Sequence, residues 1–141
     1  MRTPEQAKWD FVQQWLNKAH NDLKAASFLL GSDLKDYESV GFHAQQAAEK
    51  FIKTFLVRHQ IEFPKTHDIA RLRRLVEQVD SGLAEGVANA DELTPYGVEF
   101  RYPGDVQPLS HDPAAHALRS AEQLRDLIMA NLKPYLDEGR P

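Results

Sequence analysis

The run FHAQQAAEK, residues 42–50, sets a histidine, two glutamines, a glutamate and a lysine among alanines. On a helix, His43, Gln46 and Lys50 fall at i, i+3 and i+7 and share one face. Gln45, Glu49 and Lys53 share the next face, and Glu49 stands four residues before Lys53, the favourable order for an ion pair. Such a patch could grip a phosphate or a partner helix. The plainer reading is a solvated face carrying one ion pair worth about 0.3–0.5 kcal/mol. Spacing alone favours the solvated face.

A second set lies in FRYPGD, residues 100–105. Arg101 stands where a helical segment meets a proline-rich loop, with Tyr102 beside it. A guanidinium there can hold a phosphate or carboxylate through a bidentate fork. It can equally pin the loop by pairing with Glu99 or Asp105, and the two readings weigh about the same. A third set is RLRR, residues 71–74. Arg71 and Arg74 are one turn apart and could meet RNA phosphates or an acidic partner, although a solubilising helix surface is the commoner outcome.

Other chemistries find no support. The chain has six histidines and no cysteine. No H-E-x-x-H or related spacing joins His43, His59, His67, His111 and His116, so no metal site is expected. There is no G-x-S-x-G, no P-loop and no G-x-G-x-x-G, hence no cradle for a phosphate-bearing cofactor, and none is expected.

The elements that must position these groups read as helices throughout. Thr3, Pro4, Glu5 and Gln6 start a helix of about 27 residues, whose seam runs Trp9, Val12, Leu16, Ala19, Leu23, Ala26 and Leu30 to a stop at Gly31. A second runs from Tyr37 to Gln60 on Val40, Ala44, Ala47, Phe51 and Phe55, with alanines that admit a close neighbour. Pro64 breaks it. Thr66 or Asp68 caps a third, running to Val79 and ended by Ser81-Gly82. Residues 83–100 form a weaker helical segment interrupted at Pro95 and Gly97. RYPGDVQPLSHDP is a loop, after which Asp112 caps a last helix with Pro113 at its first position. No stretch alternates as a strand. The expected fold is all-α, an up-and-down bundle of four to five helices forming a single domain over residues 1–141.

Length suffices for a core without staples. A net charge of −4 excludes a wholly basic nucleic-acid surface but leaves room for a local patch. No apolar run is long enough for a membrane, and no apolar stretch follows Arg2, so neither a membrane span nor a secretory signal is expected. A cytoplasmic protein fits these features.

Three pieces in order resemble the HEPN domain family (higher eukaryotes and prokaryotes nucleotide-binding). They are the A..DL..A..LL pattern from Ala19 to Leu30, the long block from Tyr37 to Asp68 built around FHAQQAAEK and FP.THD, and RYP at Arg101–Pro103 before a final Ala- and Leu-rich helix. The resemblance implies an all-α bundle, commonly a homodimer. It also implies a minimal nucleotidyltransferase as partner, in toxin–antitoxin or related two-part systems. Some members are metal-independent ribonucleases that carry an Arg followed four to six residues later by a His, with the two subunits' sites meeting in a dimer cleft. Here nine residues separate Arg101 from His111, and no other Arg has a His at the required offset.

The leading reading is therefore a binding module associated with nucleotide or RNA and a nucleotidyltransferase, with Arg101, Tyr102, His43, Gln46, Lys50 and Lys53 as ligand-binding candidates. The alternatives are an endoribonuclease, for which Arg101 and His111 are the one defensible pair, and a helical scaffold for protein interactions.

Overall fold

Thr3 opens the first helix by a reciprocal exchange: its hydroxyl accepts the Gln6 N–H, and the Gln6 side chain accepts the Thr3 N–H. This capping box, with Pro4 in the first turn, fixes the start of α1, Pro4–Leu30, and Gly31 closes it as expected. The computed structural model of the chain describes residues 1–97 and 108–141. Asp36 caps α2, Tyr37–Arg58, by accepting the Ser39 N–H. That helix stops short of Gln60, which lies at φ 56° and cannot continue a right-handed turn.

Asp68 caps α3, Ile69–Val76. The expected run to Val79 does not form. Asp80 instead accepts the Leu83 N–H and starts a new helix, α4, Ser81–Gly86, so Ser81-Gly82 begins a helix where the sequence pointed to an end. A 3-10 helix follows over Ala88–Gly97, with Pro95 inside it. The last helix, α5, covers His111–Glu138 and has Ser110 at its N-cap. The cap expected of Asp112 is corrected: Asp112 lies in the first turn, where its charge still faces the positive end of the helix.

All of these elements are helical, and among the described residues no helix is long and apolar enough to cross a membrane. The chain is thus the all-α helical bundle expected. Side-chain pairs fix the directions. His20 meets Phe51 and Asp22 meets His43 and Lys50, so α1 and α2 run antiparallel. Trp9 meets Tyr135 and Arg140 pairs with Asp10, so α5 is antiparallel to α1 and lies parallel to α2. The short helices carry the chain back between the two.

The core forms around α2, which packs against α1, α3, the 3-10 helix and α5. Phe51, Ile52, Phe55 and Leu56 are fully buried, each contributing about 1.5–3 kcal/mol. Ala44, Ala47 and Ala48 are buried as well and let neighbouring backbones come close. The partner surfaces are Val12, Leu16, Ala19 and Leu23 of α1 and Leu124, Ile128 and Leu132 of α5.

Candidate functional site

The small residues of α2 draw its surroundings in until the polar residues beside them are covered too. Gln45 is fully buried, and Glu49 and Lys53 keep only 2% and 7% of their surface. The solvated face favoured by spacing is therefore corrected: with helices on several sides of α2, the Gln45–Glu49–Lys53 row faces inward. A carboxylate in that position must be met by donors. Glu49 Oε1 accepts from Lys53 Nζ at 2.6 Å, Glu49 Oε2 accepts from Gln45 Nε2 at 2.9 Å, and His67 Nδ1 lies 3.0 Å from Glu49 Oε2. Gln45 Nε2 also donates to the His67 carbonyl at 3.2 Å, and Gln45 Oε1 accepts from Gln46 Nε2 at 2.8 Å. The Lys53 ammonium sits 5.5 Å from the Trp15 ring centroid and 5.6 Å from that of Phe63, a geometry in which ring faces attract a cation.

Gly97 closes this network from the 3-10 helix. A Cβ at that position would come within 2.8 Å of Gln45 Cδ, so the backbone approaches closer than any side chain allows. Gly41 is a tight but less severe approach one turn earlier, where a Cβ would meet Leu109 at 3.0 Å and Tyr96 at 3.2 Å. The Leu109 N–H donates to Glu38 Oε1 at 2.8 Å. Gly97 and Leu109 thus both rest on the first half of α2.

A second cluster joins α1 to α2. Asp22 of α1 accepts from Lys50 Nζ and lies 2.9 Å from His43 Nδ1. The side chains of Asp22, Lys50 and His43 are 14%, 23% and 30% exposed, so this is a half-buried triad. The expected solvated head group of Lys50 is corrected: a carboxylate 28 residues away holds it. In both clusters a carboxylate takes Nδ1 of a histidine. Because a carboxylate only accepts, Nδ1 is the donor in each contact. The His67 side chain is 69% exposed, against 30% for His43.

The structure therefore brings Lys53 into one cluster with Gln46 at its edge, and His43 and Lys50 into the other. Arg101 and Tyr102 lie outside the described residues. His111 begins α5, exposed, with Nδ1 3.0 Å from Asp112 and its ring edge-on to Tyr37 at 5.7 Å. In RLRR, Arg71 and Arg74 are exposed. Arg73 grips Asp91 through a fork, Nε to Oδ1 at 2.9 Å and one terminal nitrogen to Oδ2 at 2.7 Å, and those bonds raise its pKa further above the ordinary range. Sequence reasoning missed Asp22, His67 and Asp91. Asp22 and His67 stood in quoted motifs, but neither carried a spacing that tied it to α2.

A family model described as the HEPN domain matches residues 12–132. The crystal structure of ST0689, an archaeal HEPN homologue, superposes with a TM-score of 0.66 at 23% identity, covering 86% of this chain and 97% of that one. The crystal structure of TT1696 from Thermus thermophilus superposes with a TM-score of 0.66 at 28% identity, covering 86% of this chain and 98% of the other. No curated protein matches the chain at a significant level.

Proposed function

The chain belongs to the HEPN domain family, and from that premise we propose that it is a binding module of the family. In this reading it is a homodimer that holds nucleotide or RNA without cleaving it and works beside a minimal nucleotidyltransferase in a toxin–antitoxin-like pair. One observation carries the absence of turnover: Arg101 is followed by nine residues before His111, where the family's ribonucleases need a His within four to six. A catalytic histidine must reach the same phosphate as the arginine, and the longer insert removes the spacing that ensures it.

The charge arrangement supports binding elsewhere than on the lysines. Lys50 is neutralised by Asp22 and Lys53 by Glu49, so neither is a free cation. That leaves Arg101 as the guanidinium to test. The described residues that flank its segment, Gly97 and Leu109, rest on the half of α2 that carries His43 and Gln46. The sequence puts prolines after Arg101, at 103 and 108, and proline's restricted φ lowers the entropy a chain loses on gripping a phosphate.

Titration with nucleotides and a short RNA, with cleavage followed on a gel, tests this reading. Arg101→Ala should weaken binding, Arg101→Lys should restore it only in part because the fork is lost, and His111→Ala should change little. Light scattering should give about twice the 16.1 kDa chain mass. Metal-independent cleavage by wild type, abolished by both Arg101→Ala and His111→Ala, would replace this reading with the endoribonuclease. Equal binding by wild type and Arg101→Ala would make Arg101 a structural pin.

A further inference from the structure

The groove between α1 and α5 holds a basic depression apart from the α2 clusters. His20, Leu23, Lys24 and Ser27 follow at i, i+3, i+4 and i+7, so a single face of α1 supplies them. Glu122 and Arg125, one turn apart on α5, form the opposite wall, and together the six line an open depression of about 220 Å³. Leu23 is buried and closes the depression toward the core. His20 is fixed from behind, packed edge-on against Phe51 of α2 with centroids 5.0 Å apart.

The charges here are less fully neutralised than those on α2. Lys24 is exposed and has no ion-pair partner among the described residues. Arg125 meets only the exposed Asp126 of its own helix, Nε to Oδ1 at 2.9 Å. Lys24 and Arg125 contribute two positive charges and Glu122 one negative, so the six lining residues are net +1 with His20 neutral, on a chain of net −4, and Asp126 just outside them offsets part of the Arg125 charge.

We propose that this depression is an oxyanion subsite that takes the phosphate of a small phosphorylated molecule, with Lys24 and Arg125 as its fixed cations and His20 and Ser27 as its neutral donors. Cations from two helices, about a hundred positions apart in sequence, line one depression whose volume suits one phosphate group and a short attached stem. A nucleic-acid strand fits less well. It needs a row of cations along a track, and this depression offers two.

His20 adds a sign to the proposal. Burial, then Arg125, then Lys24 lower its pKa. The groups that face it are Lys24 and Ser27 on α1, Glu122 and Arg125 on α5, and the uncharged Phe51 on α2. An anion between the two cations cancels their repulsion of the imidazolium, so the bound state takes up a proton more readily than the free state. By linkage, affinity then rises as pH falls through the range where the bound His20 protonates.

Sulfate is the probe of choice, because it stays dianionic between about pH 5.5 and 7.5, so any pH dependence belongs to the protein. Imidazole resonances are followed by NMR as sulfate is titrated, and glycerol 3-phosphate and a short single-stranded RNA then compete with it. The expected result is a saturable shift of His20 resonances and tighter binding at lower pH. Lys24→Gln and Arg125→Gln should each weaken binding by about tenfold, and Glu122→Gln should tighten it. His20→Gln should bind with the pH dependence gone. Lys24 is exposed, so its variant keeps the fold, which circular dichroism verifies. No saturable shift, or affinity unchanged in both Lys24→Gln and Arg125→Gln, would overturn the subsite. Displacement of sulfate by RNA at lower concentration than by glycerol 3-phosphate would overturn the assignment to a small molecule.

Discussion

Replacing Lys53 with methionine separates a buried ion pair from a solvated one. The Lys53 side chain is 9% exposed and that of Glu49 3%, with 2.6 Å between Nζ and Oε1. Methionine keeps the unbranched stem, and its sulfur packs well against aromatic rings such as Trp15 and Phe63, so little packing is lost. What goes is the charge opposite Glu49. Removing one partner of a buried pair costs about 3–5 kcal/mol. Gln45 and His67 still donate to the carboxylate and offset part of this, which brings the expectation to about 2–3 kcal/mol. For a chain of this size that lowers Tm by about 6–12 °C. Urea unfolding followed by circular dichroism should show the midpoint fall with the slope unchanged. Adding Glu49→Gln, which keeps an acceptor for Gln45 and His67, should recover most of the loss and give a coupling energy of about 2 kcal/mol. A Lys53→Met protein within about 0.5 kcal/mol of wild type would refute the buried pair.

Lys50→Ala should cost about 1 kcal/mol, between the values for exposed and buried pairs, and the loss should shrink in an Asp22→Asn background. Gly97→Ala should destabilise by about 1–3 kcal/mol, because its Cβ would press on Gln45; an unchanged urea midpoint would show that Gln45 can move away. The pKa of His59 is lowered from 6.5, first by burial and then by Arg58 and Lys8, so the unfolded chain binds its proton first. Its contribution to stability is thus complete above 6.5 and is lost as pH falls below it. His59→Gln should flatten the decline of Tm on acidification, and an unaltered profile would contradict this. Asp10 is held below its ordinary 3.8 by Arg140 and Arg2, so the Arg140–Asp10 contact should persist until pH falls below that value, as the Arg140 Nε–H resonance can report.

The ends of α1 were legible because capping is local: Thr3, Pro4, Gln6 and Gly31 act within a turn of themselves. The apolar seams were legible for a similar reason, since period 3.6 writes the buried face into the order of residues. What failed depended on distance. Glu49 and Lys53 looked like a surface pair because their spacing is the same buried or exposed, and it is Trp15 and Phe63, from two other parts of the chain, that come to lie over Lys53, while Gly97 closes on Gln45. Asp22 and Lys50 are 28 positions apart and share no pattern. The break at Val76 was hidden for a different reason. Asp80 followed by Ser81-Gly82 suits both the end of one helix and the cap of the next, and the side-chain bond to Leu83 decides it.

The wrapping of α2 also sets how the molecule can open. Thirteen of its 22 residues are buried, and every other helix except α4 packs on it. No partial opening can free its middle turns without exposing the core. Amide exchange there must proceed through global unfolding, and the protein should melt as one cooperative unit. Among these helices α4 is the one that does not pack on α2, and it can open separately. The side chains that α2 gives to the two histidine-bearing clusters are therefore presented on a rigid spine, and any motion that admits a partner to them must come from the elements beside it.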